Sequence, residues 1–183
     1  MSAPPSIMSI PNLDVFSDSD LSLFQKVLLT TDGTVTQLLE LHTGLSVRVH
    51  KITNELTYAP DNDLLATNAT DRLLKRAIVL CNDSPEGMLP LLYAESLFVI
   101  DRMPTVMQNA LLETNCPIGL LWREHRLETY REVIACYRER MGHLCTHFNL
   151  PSDAILLSRT YVIHHGQRPL GMITEKFPAI TIR

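Results

Sequence analysis

The chain has 183 residues, 45% of them hydrophobic and 20% charged, with a formal net charge of −4. That length favours one domain able to close over a buried pocket, and the composition excludes disordered and collagen-like chains. The acidic balance argues against a nucleic-acid partner, which a basic face would recruit, so an anionic ligand would have to be held by a few well-placed arginines.

Residues 1–20 carry no positive region followed by an apolar run, which predicts no signal peptide. No apolar stretch approaches the roughly 18–20 residues a membrane span needs, so the expectation is a cytoplasmic protein without a membrane span. The four cysteines, Cys81, Cys116, Cys136 and Cys145, are scattered without a CxxC pair and read as free thiols. Residues 1–16 are rich in Pro and Ser and predict a flexible arm, leaving 17–183 as a single domain.

In chain order, Ser17, Asp18, Ser19 and Asp20 offer N-caps to a helix whose Leu21, Phe24, Val27 and Leu28 recur at helical spacing, ending near Thr30 to Gly33. A second short helix spans about Val35 to Leu41, with Gly44 as its C-cap. Leu45, Val47 and Val49 then alternate with polar residues as in a half-buried strand, and a turn-like stretch starts at Asn54 and runs to Asp63. Arg76–Cys81 and Tyr93–Ile100 read as strands joined by a loop at Asn82–Gly87. Pro104 suits the first turn of a helix reaching about Thr114.

Residues 124–148 are ambiguous. Leu127, Tyr130, Ile134, Tyr137, Met141, Leu144 and Phe148 fit a helix, whereas Tyr130, Glu132, Ile134 and Cys136 would line one side of a strand; propensity leans to helix. At the C-terminus, Ala154–Ile163 and Leu170–Phe177 read as a hairpin turning at His164–Pro169. Helices followed by hairpins predict an α+β fold on an antiparallel sheet.

Some constellations are attractive but weak. His143 and His147 would share a helix face as metal ligands do, yet no HExxH glutamate and no third ligand accompany them, so a solvent-facing pair is the better reading. His164 and His165 fall at the hairpin turn and read as solvent-exposed. No glycine-rich phosphate cradle and no GxSxG elbow occurs. Arg76 and Glu175 are harder to dismiss, because charges beside strand-core residues are costly unless paired or met by a ligand. Either they form a salt bridge with each other, or they lie at exposed edges, or they serve a site.

Four short segments carry a resemblance: Val27 to Thr36, Arg76 to Cys81, Asn115 to Leu121, and Arg168 to Pro178 with Ile173, Thr174, Glu175, Lys176 and Phe177 inside it. In order and spacing over about residues 20–178 they resemble the chorismate pyruvate-lyases, most nearly a branch found in cyanobacteria and red-algal plastids, as judged by the segments Pro117–Leu121 and Ser158–Tyr161. The resemblance implies a six-stranded antiparallel sheet flanked by helices, a ligand sealed under two helical flaps, and a strand near Leu127–Cys136, which confines the helix to about Arg138–Phe148.

It implies conversion of chorismate to 4-hydroxybenzoate and pyruvate by a cofactor-independent, metal-free monomer, with the product feeding quinone biosynthesis. Arg76 would bind the ring carboxylate, Glu175 would sit at the 4-oxygen and exchange a proton with the leaving ether or its enol, for which burial would have to raise its pKa. Backbone amides around Thr34 and Ile118 would complete the contacts, and Gly119 would let the backbone approach. Arg159 is a second candidate for the other carboxylate, unless it is a surface strand residue. The same fold also serves regulators as a non-catalytic effector-sensing domain for small molecules such as aromatic carboxylates. Those carry a basic winged helix ahead of the sensor, where this chain has about twenty loose residues, which ranks the enzyme first.

Overall fold

The computed structural model describes residues 21–58, 62–84, 87–114 and 116–182. The expected flexible arm and the caps at Ser17 to Asp20 lie outside them, as does Asn115. Helix α1 (Leu23–Thr30) is capped instead by Ser22, whose hydroxyl accepts from the Gln25 amide while the Gln25 side chain accepts from Ser22, a capping box. Helix α2 (Val35–Thr43) ends at Gly44, in the left-handed conformation, as expected.

Strand β1 (Val47–Tyr58) pairs with β2 (Arg72–Ser84), and β2 with β3 (Gly87–Val99). Helices α3 (Thr105–Glu113) and α4 (Ile118–Glu124) follow, with Pro104 as the cap of α3. Then come β4 (Tyr130–Arg140), a single turn α5 (Cys145–Phe148), β5 (Ile155–His165) and β6 (Arg168–Pro178). Every pairing is antiparallel, in the order β1-β2-β3-β6-β5-β4, so the α+β, six-stranded reading holds.

Three local expectations are corrected. Residues 54–58 are strand, with Asn54 opposite Arg76; a register shift between Lys51 and Thr53 and the exposure of this edge strand's outer half erase the alternation a sequence would show. Residues 138–140 are strand rather than helix, held by Glu139, which accepts from Ser158 at 2.6 Å and pairs with Lys176 at 2.9 Å. His164 and His165 finish β5 half-buried instead of sitting in a solvent turn, His164 at 2.9 Å from Glu132 and His165 at 2.9 Å from the Glu128 carbonyl. His143 and His147 are exposed, as read.

Strand alternation divides the residues into two layers. Leu74, Ile78 and Leu80 of β2, Leu92 and Phe98 of β3, and Ile173 and Phe177 of β6 face α1–α4, meeting Leu28, Leu29, Leu39, Met107, Leu111, Leu121 and Trp122. The opposite side is covered at one end by α5 and neighbouring residues, with Met141, Leu144 and Phe148 packed on Val79, Tyr93 and Leu156.

One close approach fixes β6 against β3. A Cβ added at buried Gly171 would overlap the Phe98 ring and lie 2.9 Å from the Leu97 carbonyl oxygen. Gly171→Ala is therefore expected to lower unfolding free energy by about 2 kcal/mol in a urea titration. Unchanged stability would show that this strand pair has slack.

Candidate active site

Two adjacent rows across the sheet bring the chemistry together. Arg76, Ser96, Ile173 and Tyr161 are successive partners in one row; Ile78, Ala94, Glu175 and Arg159 are partners in the next. Above these rows lie the start of α2 (Thr34, Val35, Thr36) and the start of α4 (Pro117, Ile118, Gly119), and Arg131 of β4 closes one side. The pocket so formed encloses about 60 Å³, with Leu80 and Leu92 adding apolar wall.

Arg76 is 2% exposed. Its Nη2 donates to the Cys116 carbonyl at 3.4 Å, its Nε has no partner, and among the described residues no carboxylate pairs with it. Burial pulls its pKa down to about 10. A charged group that feels it, Lys51, is another cation: burial and then Arg76 push the Lys51 pKa down. A cation buried without a counter-charge is costly, and a ligand carboxylate would relieve that cost through the bidentate fork.

Glu175, 6% exposed, is held quite differently. Arg159 Nε donates to its Oε2 at 2.6 Å and the Tyr161 hydroxyl donates to its Oε1 at 3.1 Å. For Arg159, 1% exposed, burial opposes the charge, but Glu175, Tyr161 and Cys136 together outweigh it and the pKa lies above the ordinary value. Burial, with the neighbouring Glu175 charge, also pushes the Tyr161 hydroxyl up, so it remains a donor. Arg159 further donates to the Thr31 carbonyl at 2.9 Å and lies over the Tyr161 ring at 5.1 Å.

The two helix starts complete an anion-friendly roof. Neither Thr34, the N-cap of α2, nor Pro117, the N-cap of α4, makes a side-chain capping bond; in α4 the Leu120 amide turns back to the Pro117 carbonyl at 3.0 Å, which leaves the amides of Ile118 and Gly119 without a side-chain cap. Gly119 lets the roof close: a Cβ there would come within 2.8 Å of Thr34 Cγ2.

Of the residues singled out from sequence, Arg76, Glu175, Thr34, Ile118 and Gly119 line one pocket. The alternative of an Arg76–Glu175 salt bridge is overturned, because the partner of Glu175 is Arg159. Arg159 is neither a surface residue nor part of the pocket lining; it stands behind Glu175. Sequence reasoning missed Arg131 and Tyr161. Tyr161 follows Arg159 by two residues on the same strand, a spacing that puts both on one face and could have flagged the pair. Among the described residues no group of three metal-ligating side chains occurs, and no helix is long and apolar enough to cross a membrane.

Residues 29–183 match the family model described as "Chorismate pyruvate-lyase Rv2949c-like". The chain is 32% identical over 160 residues to the chorismate pyruvate-lyase of Mycobacterium leprae, covering 83% of this chain and 72% of that one. Its fold is similar to PhnF from Mycobacterium smegmatis (TM-score 0.67, 10% identity, 84% of this chain and 67% of that one). It is also similar to the separate PhnF effector domain (TM-score 0.64, 12% identity, 81% and 90%). At those identities the structural likeness concerns fold alone. A narrower placement in a cyanobacterial and plastid branch does not follow from these mycobacterial matches.

The two arginines should respond oppositely to removal of charge. Arg159→Met strands a buried carboxylate and is expected to cost about 3–5 kcal/mol of stability. Arg76→Met removes an unpaired buried cation and is expected to raise the stability of the ligand-free protein by about 1–3 kcal/mol. Urea unfolding of both variants checks this, and a destabilised Arg76→Met would mean that Arg76 has a structural partner after all.

Proposed function

The chain belongs to the Rv2949c-like chorismate pyruvate-lyase family, and on that premise we propose that it splits chorismate into 4-hydroxybenzoate and pyruvate. The observation that carries the reading is Arg76, a buried guanidinium lacking a carboxylate partner at one end of a pocket whose other end holds Glu175. Apolar walls from Ile78, Leu80, Leu92 and Ile173 suit a ring between the two.

In this reading the ring carboxylate lies on Arg76, with the uncapped starts of α2 and α4, through the amides of Thr34 and Ile118, adding donors. Glu175 lies at the 4-oxygen. The bond between ring C3 and the ether oxygen breaks with its electron pair on oxygen, the hydrogen on C4 leaves as a proton, the ring becomes aromatic, and the enolate released gains one proton at its methylene to become pyruvate. Protons balance, so a residue that exchanges one proton is sufficient and no redox equivalent enters. Glu175 is that residue, oriented by the two donors Arg159 and Tyr161. Held between the apolar walls and the two arms of the roof, the substrate would be kept in its reactive conformer. The chain works without a cofactor in the cytoplasm, and its product supplies quinone biosynthesis.

The test is incubation of EDTA-treated protein with chorismate, following both products by chromatography. Equimolar 4-hydroxybenzoate and pyruvate are expected. Glu175→Gln should lower kcat by about 10²–10⁴-fold, and Arg76→Ala should lower kcat/KM by about 10²-fold or more, each with folding checked by circular dichroism. Binding of 4-hydroxybenzoate without any turnover of chorismate would replace the lyase with a non-catalytic effector-sensing domain.

A further inference from the structure

Chorismate is a dianion, and the reading above provides for only one of its carboxylates. The expected second anchor, Arg159, is committed to Glu175 and absent from the pocket lining. Resting on the lyase reading, we propose that Arg131 is the residue that receives the enolpyruvyl carboxylate and so distinguishes substrate from product.

Substrate chemistry dictates where the second carboxylate must go. With C1 on Arg76 and the 4-oxygen at Glu175, the enolpyruvyl group on C3 is next to C4 and leaves the ring at the Glu175 end. Strand order runs β2, β3, β6, β5, β4, and Arg131 stands opposite Ile163, on the sheet face shared by Tyr161 and Arg159 and two residues along β5 from Tyr161. Neighbouring strands are about 4.8 Å apart, so β4 lies about 10 Å beyond β6. The register also offsets Arg131 from Glu175 along the strands, and its long side chain leans back over this offset toward Tyr161 and lines the pocket.

The contacts of Arg131 suit an anion receptor. Its guanidinium lies 5.9 Å from the centre of the Tyr161 ring, and that ring's hydroxyl is bonded to Glu175, which places the cation beside the reacting end. Its Nη1 donates to the Asp32 carbonyl, which pins the side chain to the loop ahead of α2. Its Nε is buried and has no partner. The contacts it makes are thus neutral, a carbonyl and a ring face, and among the described residues no carboxylate pairs with it. A planar guanidinium fixed on one edge still offers donors on another to a carboxylate.

A tether for the α1–α2 loop is the competing role, and the two roles separate by ligand. Chorismate carries the second carboxylate; 4-hydroxybenzoate does not. For Arg131→Gln, kcat/KM on chorismate is expected to fall at least about tenfold, equivalent to about 1.4 kcal/mol. The Kd of 4-hydroxybenzoate, measured by calorimetry, is expected to stay within about threefold of wild type on the same scale. Arg131→Lys, which keeps the charge, should recover part of the lost kcat/KM. Parallel loss of chorismate turnover and 4-hydroxybenzoate affinity would assign Arg131 to loop tethering, and unchanged turnover would remove it from the site; either overturns the proposal. Wild-type turnover in the same assay separates the two readings, because its absence removes the lyase itself, whereas turnover with an unaffected Arg131→Gln removes only the anchor.

Discussion

Taking a guanidinium out of water without a counter-ion costs several kcal/mol, and folding tolerates it only where other contacts over-determine the position. Arg76 is such a residue. It stands in β2, paired through the backbone to β1 and β3, with Leu74 and Ile78 on its own face locked into the core, so the strand register leaves it nowhere else to go. The rest of the pocket can be understood from that constraint. Helix starts with free amides, apolar walls and a distant, fully paired Glu175 make a cavity whose unmet demand is for a carboxylate at one end.

The second structural theme is how the sheet holds its roof. Arg159 donates to the Thr31 carbonyl and Arg131 to the Asp32 carbonyl, two consecutive groups just past the end of α1. Cations there complement the partial negative charge at a helix C-terminus. They also fix the segment that leads into Thr34 and the start of α2. Glu175, Arg159 and this loop therefore form a chain from the pocket floor to its lid. Gly119 brings the start of α4 against Thr34 at the start of α2, which closes the roof over this side of the sheet.

Much of this was legible in the sequence, and the failures have physical causes. The hairpins of β2–β3 and β5–β6 show because their strands are buried on both faces and read as short apolar runs bounded by turn residues. β1 and β4 are edge strands, where exposure and charged residues such as Arg131, Glu132, Arg138 and Arg140 mimic helix or turn composition. Resemblance repaired the start of β4 but stopped it short of Arg140. Arg76 and Glu175 could be marked from sequence as charges in apolar strands. Which arginine pairs with Glu175 could not, because the register shift between Ile163 and His164 decides which residue of β5 stands opposite Glu175. Arg131 was hidden by topology, its strand being four steps from β2 in the sheet.

The central claim is that Arg76 is charged, buried and waiting for a carboxylate. Calorimetric comparison of 4-hydroxybenzoate with 4-hydroxybenzamide, which has the same ring and hydroxyl without the charge, tests it most directly. The account predicts that the carboxylate binds at least about 100-fold tighter to wild type, and that Arg76→Met abolishes this preference. Equal affinities for the two ligands in wild type would contradict it.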